Sequence, residues 1–225
     1  MNTYLHFLSQ EEAHIVFRRY LKHHFPADEV KPWKSISRMW ADDCYFAVGV
    51  FEDVGDVRPD SQNSSGANES DPLDTLRGYA FFVESPDCDA CLLDYYAILP
   101  EYRDAGLGGR TLQRLAELVR DRGKYILLET EDIDFAKNDG QVAERTRRDA
   151  FYTRNGCVKT DVKGKVFTVH YAVWALGLEA AHGADEAARS TAFDRACADM
   201  NTLYQLMIPG EKFRLFVKIV RASEA

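Results

Sequence analysis

The chain has 225 residues, 46% of them hydrophobic, enough to bury one substantial core with an appended subdomain. A net charge of −8 argues against a general nucleic-acid binder and suits a protein that attracts a cationic small molecule. The five cysteines (Cys44, Cys88, Cys91, Cys157, Cys197) are odd in number and irregularly placed, which argues against a disulfide framework. Cys88 and Cys91 have metal-ligand spacing, but no second Cys or His pair completes a zinc site, so no metal is expected. Ordinary thiols place the protein in a reducing compartment, the cytoplasm. No secretory signal opens the sequence, and the longest uncharged run, Val166 to Leu178, is too short to span a membrane.

The first predicted element is a helix over Gln10–Phe25, with Ala13, Val16, Phe17 and Tyr20 on one face and Pro26 as its stop. A short helix covers Trp33–Trp40. Cys44–Phe51 and Leu76–Glu84 read as strands, and the polar stretch between them, 53–75, as an exposed loop at a hairpin tip. Strand Leu92–Leu99, helix Gly109–Arg122 and strand Lys124–Thr130 make a β-α-β crossover. A helix over Gln141–Arg154 follows. Cys157–Trp174 reads as two strands turning near Lys163-Gly164-Lys165. Gly183-Ala184-Asp185 opens a last helix, which Pro209-Gly210 ends, and Phe213–Val220 alternates as a final strand. The expected fold is a mixed, mostly antiparallel α/β sheet flanked by helices. Residues 1–176 form the main domain, and 177–225 form a helix-and-strand extension packed on it.

The segment Tyr102–Gly109 carries the most functional information. A strand stopped by Pro100 leads into closely spaced glycines and then a helix. That arrangement aims unpaired first-turn N–H groups, at the positive end of the helix dipole, toward an anion. Gly106 and Gly108 leave room for close approach, and Arg103 adds a cation at the rim. The local reading is a phosphate or pyrophosphate cradle. A Walker loop is excluded because no lysine follows the glycines. A Rossmann fingerprint begins with Gly106 and Gly108 and would place Glu129 near a ribose, but its third glycine position holds Thr111. A dinucleotide-dependent oxidoreductase is the corresponding alternative.

The string Arg103-Asp104-Ala105-Gly106-Leu107-Gly108 resembles the Gln/Arg-x-x-Gly-x-Gly/Ala loop of the GNAT N-acetyltransferases. Leu93–Tyr102 looks like that family's fourth strand and the turn after it. Phe151-Tyr152-Thr153-Arg154-Asn155-Gly156 resembles its second marker, an aromatic-Tyr-x-x-x-Gly at the end of a helix. The resemblance covers about residues 1–176, with its specific part in Leu93–Cys157. It implies acetyl-CoA as co-substrate, with the pyrophosphate on Arg103, Asp104, Ala105, Gly106, Leu107, Gly108 and Gly109. Strand-edge groups of Ile98 and Leu99 would hold the pantetheine arm.

The same resemblance makes Tyr152 the general acid toward the leaving thiolate; an unperturbed phenol, with pKa ~10, remains a donor at neutral pH. A core tyrosine stacked on the sheet is the structural alternative, and Phe151 suits that role better. For the base, Asp94, Glu129, Glu131 and Asp132 are candidates, with Glu129 and Asp94 preferred. Alternation puts Asp94 on the face of Tyr96 and Ile98. His170 is expected to be structural. Two positions depart from the family pattern: Arg145 stands where an Asn is common, and Cys157 where an aromatic is common. With Arg147 and Arg148, Arg145 gives a cationic helix face that could meet CoA phosphates, an anionic acceptor or solvent. The expected activity is acetyl transfer from acetyl-CoA to a primary amine of a small molecule or peptide, by direct attack in a ternary complex. A non-catalytic acyl-CoA sensor or scaffold of the same fold is the rival class. No nucleic-acid or membrane partner is expected, and a homodimer stays open.

Overall fold

The computed structural model describes residues 2–53, 71, 73–183, 185–208 and 210–224. Strands β1 (Thr3–Phe7), β2 (Tyr45–Glu52), β3 (Leu76–Glu84), β4 (Ala90–Ile98), β5 (Tyr125–Glu131), β6 (Val158–Val166), β7 (Val169–Leu176) and β8 (Val217–Arg221) form one sheet. Their order is β1-β2-β3-β4-β5-β7-β6-β8. Every pairing is antiparallel except that of β4 with β5. One parallel crossover is not a doubly wound sheet, so the dinucleotide-binding alternative loses its fold. Among the described residues no helix is long and apolar enough to cross a membrane.

The helices divide between the two sheet faces. One face is covered by α4 (Leu107–Arg120) and α5 (Asp139–Arg154). Leu112, Leu115 and Val119 recur along α4 at helical spacing and pack with Val48, Phe82, Ile126 and Leu128. The other face is covered by α1 (Gln10–Val16), a π-helical turn Phe17–Leu21, α2 (Lys22–His24), α3 (Trp33–Ala41) and α6 (Glu186–Met207). Ser9 and Glu12 form a reciprocal capping box that starts α1. Asp185 caps α6 by accepting from Ala187 and Ala188. Phe193, Ala196, Met200 and Leu203 of α6 share the core with Leu92, Leu127 and Tyr79. Each fully buried Leu or Phe in such a core contributes about 1.5–3 kcal/mol relative to an exposed one.

Several boundaries differ from the sequence reading. Strand β1 was not anticipated. The expected helix 10–25 is broken in register by its π turn. The helix after the glycine loop starts at Leu107 rather than Gly109, because Gly106 caps it with φ +70°. The β6–β7 turn lies at Phe167–Thr168, two residues beyond Lys165; β6 stays paired with β7 through Val166. Phe213–Phe216 belongs to a helical turn, α7 (Glu211–Phe216), and only Val217–Arg221 is strand. Phe216 there stacks on Phe167 at 5.1 Å, a contact that outweighs its alternation. The loop expected at 53–75 falls largely outside the described residues.

The feature that matters for function is where β4 and β5 part. They pair at Ala90–Tyr125, Cys91–Ile126 and Leu92–Leu127, and then separate. Asp94 is the extra residue of a β-bulge: Phe82 faces Leu93, Phe81 faces Tyr95, and Asp94 has no partner in β3. A bulge bends its strand and increases its twist, which turns the end of β4 away from β5. Close approach elsewhere keeps β3 on β4. A Cβ at Gly78 would lie 2.8 Å from the Ala97 carbonyl oxygen and 2.7 Å from Ile98 Cδ1. Gly78→Ala is therefore expected to destabilise the fold by about 1–3 kcal/mol, read as a lower urea midpoint at unchanged m-value.

Candidate functional site

The loop after β4 forms two left-handed turns, at Asp104 (φ +64°) and Gly106 (φ +70°), before α4 begins. Leu107, Gly108 and Gly109 then occupy the first helical turn, where N–H groups have no carbonyl four residues back to receive them. Tyr96 locks this turn to β4, its hydroxyl donating to the Gly108 carbonyl at 2.6 Å. Arg103 Nε donates to the Ile98 carbonyl at 2.9 Å, so the loop is tied to the strand it leaves. These donors, dipole and glycines fit a phosphate group.

Beyond Leu92 the β5-facing edge of β4 lacks its strand partner. The Leu99 N–H donates to Arg77 on the β3 side at 2.9 Å. Antiparallel alternation from that bond turns Tyr96 and Ile98 toward the gap. The structure thus directs the Leu99 amide away from the splay and brings Tyr96 to it. Ile98 keeps its N–H toward the gap while its carbonyl receives Arg103.

The gap is part of a groove of about 2510 Å³ that is lined from both faces of the sheet. On the α4/α5 face stands Tyr152, packed edge-on against Phe151 at 5.2 Å and tilted against Trp174 at 6.1 Å. Its hydroxyl has no hydrogen-bond partner among the described residues. Burial raises its pKa to about 12, against the pull of Arg148, so it is a neutral phenol at physiological pH.

On the opposite face stands Glu129, beside Leu127 in the strand that meets α6. Tyr204 of α6 donates its hydroxyl to Glu129 Oε1 at 2.5 Å. Burial raises the Glu129 pKa to about 7, with the Tyr204 hydrogen bond and the Lys31 charge working against it. A buried carboxyl titrating near neutrality in a groove marks a candidate acid–base group.

Asp94 has a different environment. It does not share the face of Tyr96 and Ile98: the bulge breaks the alternation and turns it to the side of Tyr95 and Tyr45. There it accepts from Lys31 Nζ and from the Tyr45 hydroxyl, both at 2.6 Å. The buried Lys31 ammonium is held above its ordinary range by Asp94 despite the opposing effect of burial. With both oxygens engaged, Asp94 is a structural anchor that fastens the 25–32 segment to the bulge. The Lys31 N–H adds a bond to the Tyr95 hydroxyl, which in turn donates to the Glu29 carbonyl.

Glu131 is also engaged. Arg145 is buried and donates to Glu131 Oε1 at 2.5 Å and to the Asp132 carbonyl at 2.6 Å. Asp132 pairs with Lys163 at 2.6 Å. The expected cationic face therefore divides: Arg145 turns inward to hold the end of β5, while Arg147 stays exposed. His170 stacks on Phe135 at 3.7 Å. Sequence reasoning missed Lys31, Glu29, Tyr96 and Tyr204. Tyr204 had a signal, since a core tyrosine needs a partner for its hydroxyl; Lys31 had none.

Neither a family model nor a curated protein matches the sequence. Solved structures do match in shape. A protein from Bacteroides thetaiotaomicron described as a GNAT-family acetyltransferase superposes with a TM-score of 0.54 at 18% identity, over 86% of this chain and 94% of its own. One from Desulfovibrio desulfuricans, described likewise, gives 0.51 at 19% identity, over 78% and 98%. The fold is that of the GNAT acetyltransferases. A chimera described as a Vibrio cholerae spermidine N-acetyltransferase also matches, with a TM-score of 0.50 at 12% identity, over 78% of this chain and 95% of its own. In this GNAT fold the chain brings the loop 103–109, Tyr152, Glu129 and Asp94 to one groove, with the two Asp94 oxygens held by Lys31 and Tyr45.

The Glu129 environment has a measurable consequence. Its folded-state pKa, about 7, lies above its ordinary value of 4.5, so the fold prefers the protonated form. Stability is then greatest below pH 4.5, falls as pH rises toward 7, and levels off above it. Glu129→Gln lacks this loss. At pH 8 the variant is expected to be more stable than wild type by on the order of 3 kcal/mol, with the difference vanishing near pH 4. Denaturant unfolding at the two pH values measures it.

Proposed function

We propose that the protein is an N-acetyltransferase that moves an acetyl group from acetyl-CoA to a primary amine of a small molecule or peptide, within a ternary complex. The observation that carries this reading is the position of Tyr152 and Glu129 on opposite faces of the sheet at one gap between β4 and β5. A donor held on the α4/α5 face can reach an acceptor on the α6 face only through such a gap. Loop 103–109 would hold the pyrophosphate with its first-turn amides, and the gap-facing groups of Tyr96 and Ile98 would pair with the amide-bearing arm. Acetyl-CoA supplies the activated thioester.

The rest of the chemistry belongs to side chains. Glu29, Glu129 and Glu131 line the acceptor side and favour an ammonium group in an already acidic protein. Arg145 and Arg148 are turned toward Glu131, which weakens the case for an anionic acceptor. Glu129, ionised above pH 7, takes a proton from the ammonium directly or through water. The N–C bond forms and the C–S bond breaks. Tyr152 protonates the departing sulfur, and the second proton given up by the amine restores the phenol. Tyr204 positions Glu129 by occupying one of its oxygens.

Tyr152→Phe keeps the ring and its packing on Trp174 and removes the donor. Turnover is expected to fall roughly 10²–10⁴-fold with acetyl-CoA affinity nearly unchanged, as measured by thiol release and calorimetry. Wild-type turnover in this variant under chemistry-limited conditions would make Tyr152 structural.

Glu129 governs the pH profile. Wild-type kcat/KM is expected to rise through an acid limb near pH 7, where Glu129 loses its proton. Glu129→Gln should flatten that limb and raise the acceptor KM, while CoA binding stays the same because the cradle is on another element. A panel of amines scored against pH gives the comparison, and an unaltered limb in Glu129→Gln would assign the base elsewhere.

A further inference from the structure

Four arginines meet at the outer side of the cradle. Arg103 from the loop and Arg147, Arg148 and Arg154 from α5 line a pocket of about 360 Å³ together with Phe151 and Glu144. Residues 147, 151 and 154 are spaced i, i+4, i+7, so they share one face of α5. Glu144 is the pocket's single carboxylate, and it is engaged by Arg148 at 2.9 Å. Arg148 also faces Glu131 at 3.8 Å. Arg147 and Arg154 have no carboxylate partner among the described residues; Arg154 lies over the Phe151 ring at 5.1 Å. Arg103 donates to the Ile98 carbonyl and has no carboxylate partner among the described residues. The pocket thus holds uncompensated positive charge, in a protein whose net charge is −8.

Like charges so gathered repel unless an anion sits among them, and guanidinium forks match phosphate oxygens. The pocket adjoins the cradle: the Phe151 ring that lines it lies 3.5 Å from where a Cβ on Gly108 would be. The cradle offers backbone amides and one helix dipole, which suit a bridging pyrophosphate. The arginine pocket offers guanidinium side chains, which suit a terminal phosphomonoester carrying close to two negative charges. We propose that this pocket binds the 3′-phosphate of CoA, as a second anion site that selects CoA over its dephosphorylated form. The inference rests on the acetyl-CoA reading above.

The test uses calorimetry with CoA and with 3′-dephospho-CoA, on wild type and on an Arg147→Ala/Arg154→Ala double variant. Both positions are exposed, so the fold should persist. Wild type is expected to prefer CoA by roughly ten- to a hundredfold, the range for charge-assisted hydrogen bonds, and the preference should shrink with added salt. The double variant should lose that preference and bind 3′-dephospho-CoA as wild type does. Equal binding of the two ligands by wild type would overturn the inference alone, and would mean that the arginines serve another anion, such as a phosphate on the acceptor. Retention of the preference in the double variant would also overturn it. If neither ligand binds wild type, the acetyl-CoA reading fails and this inference with it.

Discussion

The structure depends on the parting of β4 from β5. Three residue pairs hold the strands together, and the bulge at Asp94 then bends β4 away. A gap in the middle of a sheet exposes backbone donors and acceptors that a continuous ladder would satisfy, at about 1–3 kcal/mol for each buried group left without a partner. The chain holds this geometry with a network of hydrogen bonds outside the sheet. Lys31 and Tyr45 both engage Asp94, and Tyr95 ties the same segment to the strand. The bulge residue is a carboxylate because its environment supplies a cation and a hydroxyl for its two oxygens.

That arrangement separates two acidic residues that composition alone makes equivalent. Asp94 sits in an ion pair and serves the fold. Glu129 has a hydroxyl on one oxygen and a desolvating wall of core side chains, and it titrates near neutrality. The difference lies in partners, since both carboxyls are buried beside the same groove. Asp94 has a full cation at 2.6 Å, whereas Glu129 has only a neutral hydroxyl within hydrogen-bond reach and keeps most of its desolvation penalty. The neutral donor comes from α6, so the C-terminal helix does more than cover the core.

The arginines of α5 show a similar division by position on one helix. Arg145 points to the end of β5 and pairs with Glu131. Arg147 and Arg154 are on another side and remain without carboxylate partners among the described residues. Two positive environments therefore lie within ten residues: one closes an ion pair at the end of β5, the other leaves charge unbalanced beside the loop 103–109.

Local chemistry made much of this legible. Apolar alternation and helical periodicity located β2 to β5, α3, α4 and α5 because those segments each bury one face against a common core. The glycine loop was readable because unpaired first-turn amides and a left-handed Gly106 are properties of a short stretch of backbone. Tyr152 stood out through its spacing before Gly156. Other features needed the tertiary structure, for stated reasons. The bulge reverses the direction of Asp94, and a two-residue period cannot announce where it is interrupted. The choice between Asp94, Glu129 and Glu131 rests on Lys31, Tyr204 and Arg145, which lie 63, 75 and 14 residues away in the chain. The sequence by itself determined most of the strands and the glycine turn before α4, because each is set by a short stretch of backbone and side chains; only folding decided which carboxylates were paired with cations, because those cations come from other elements of the chain.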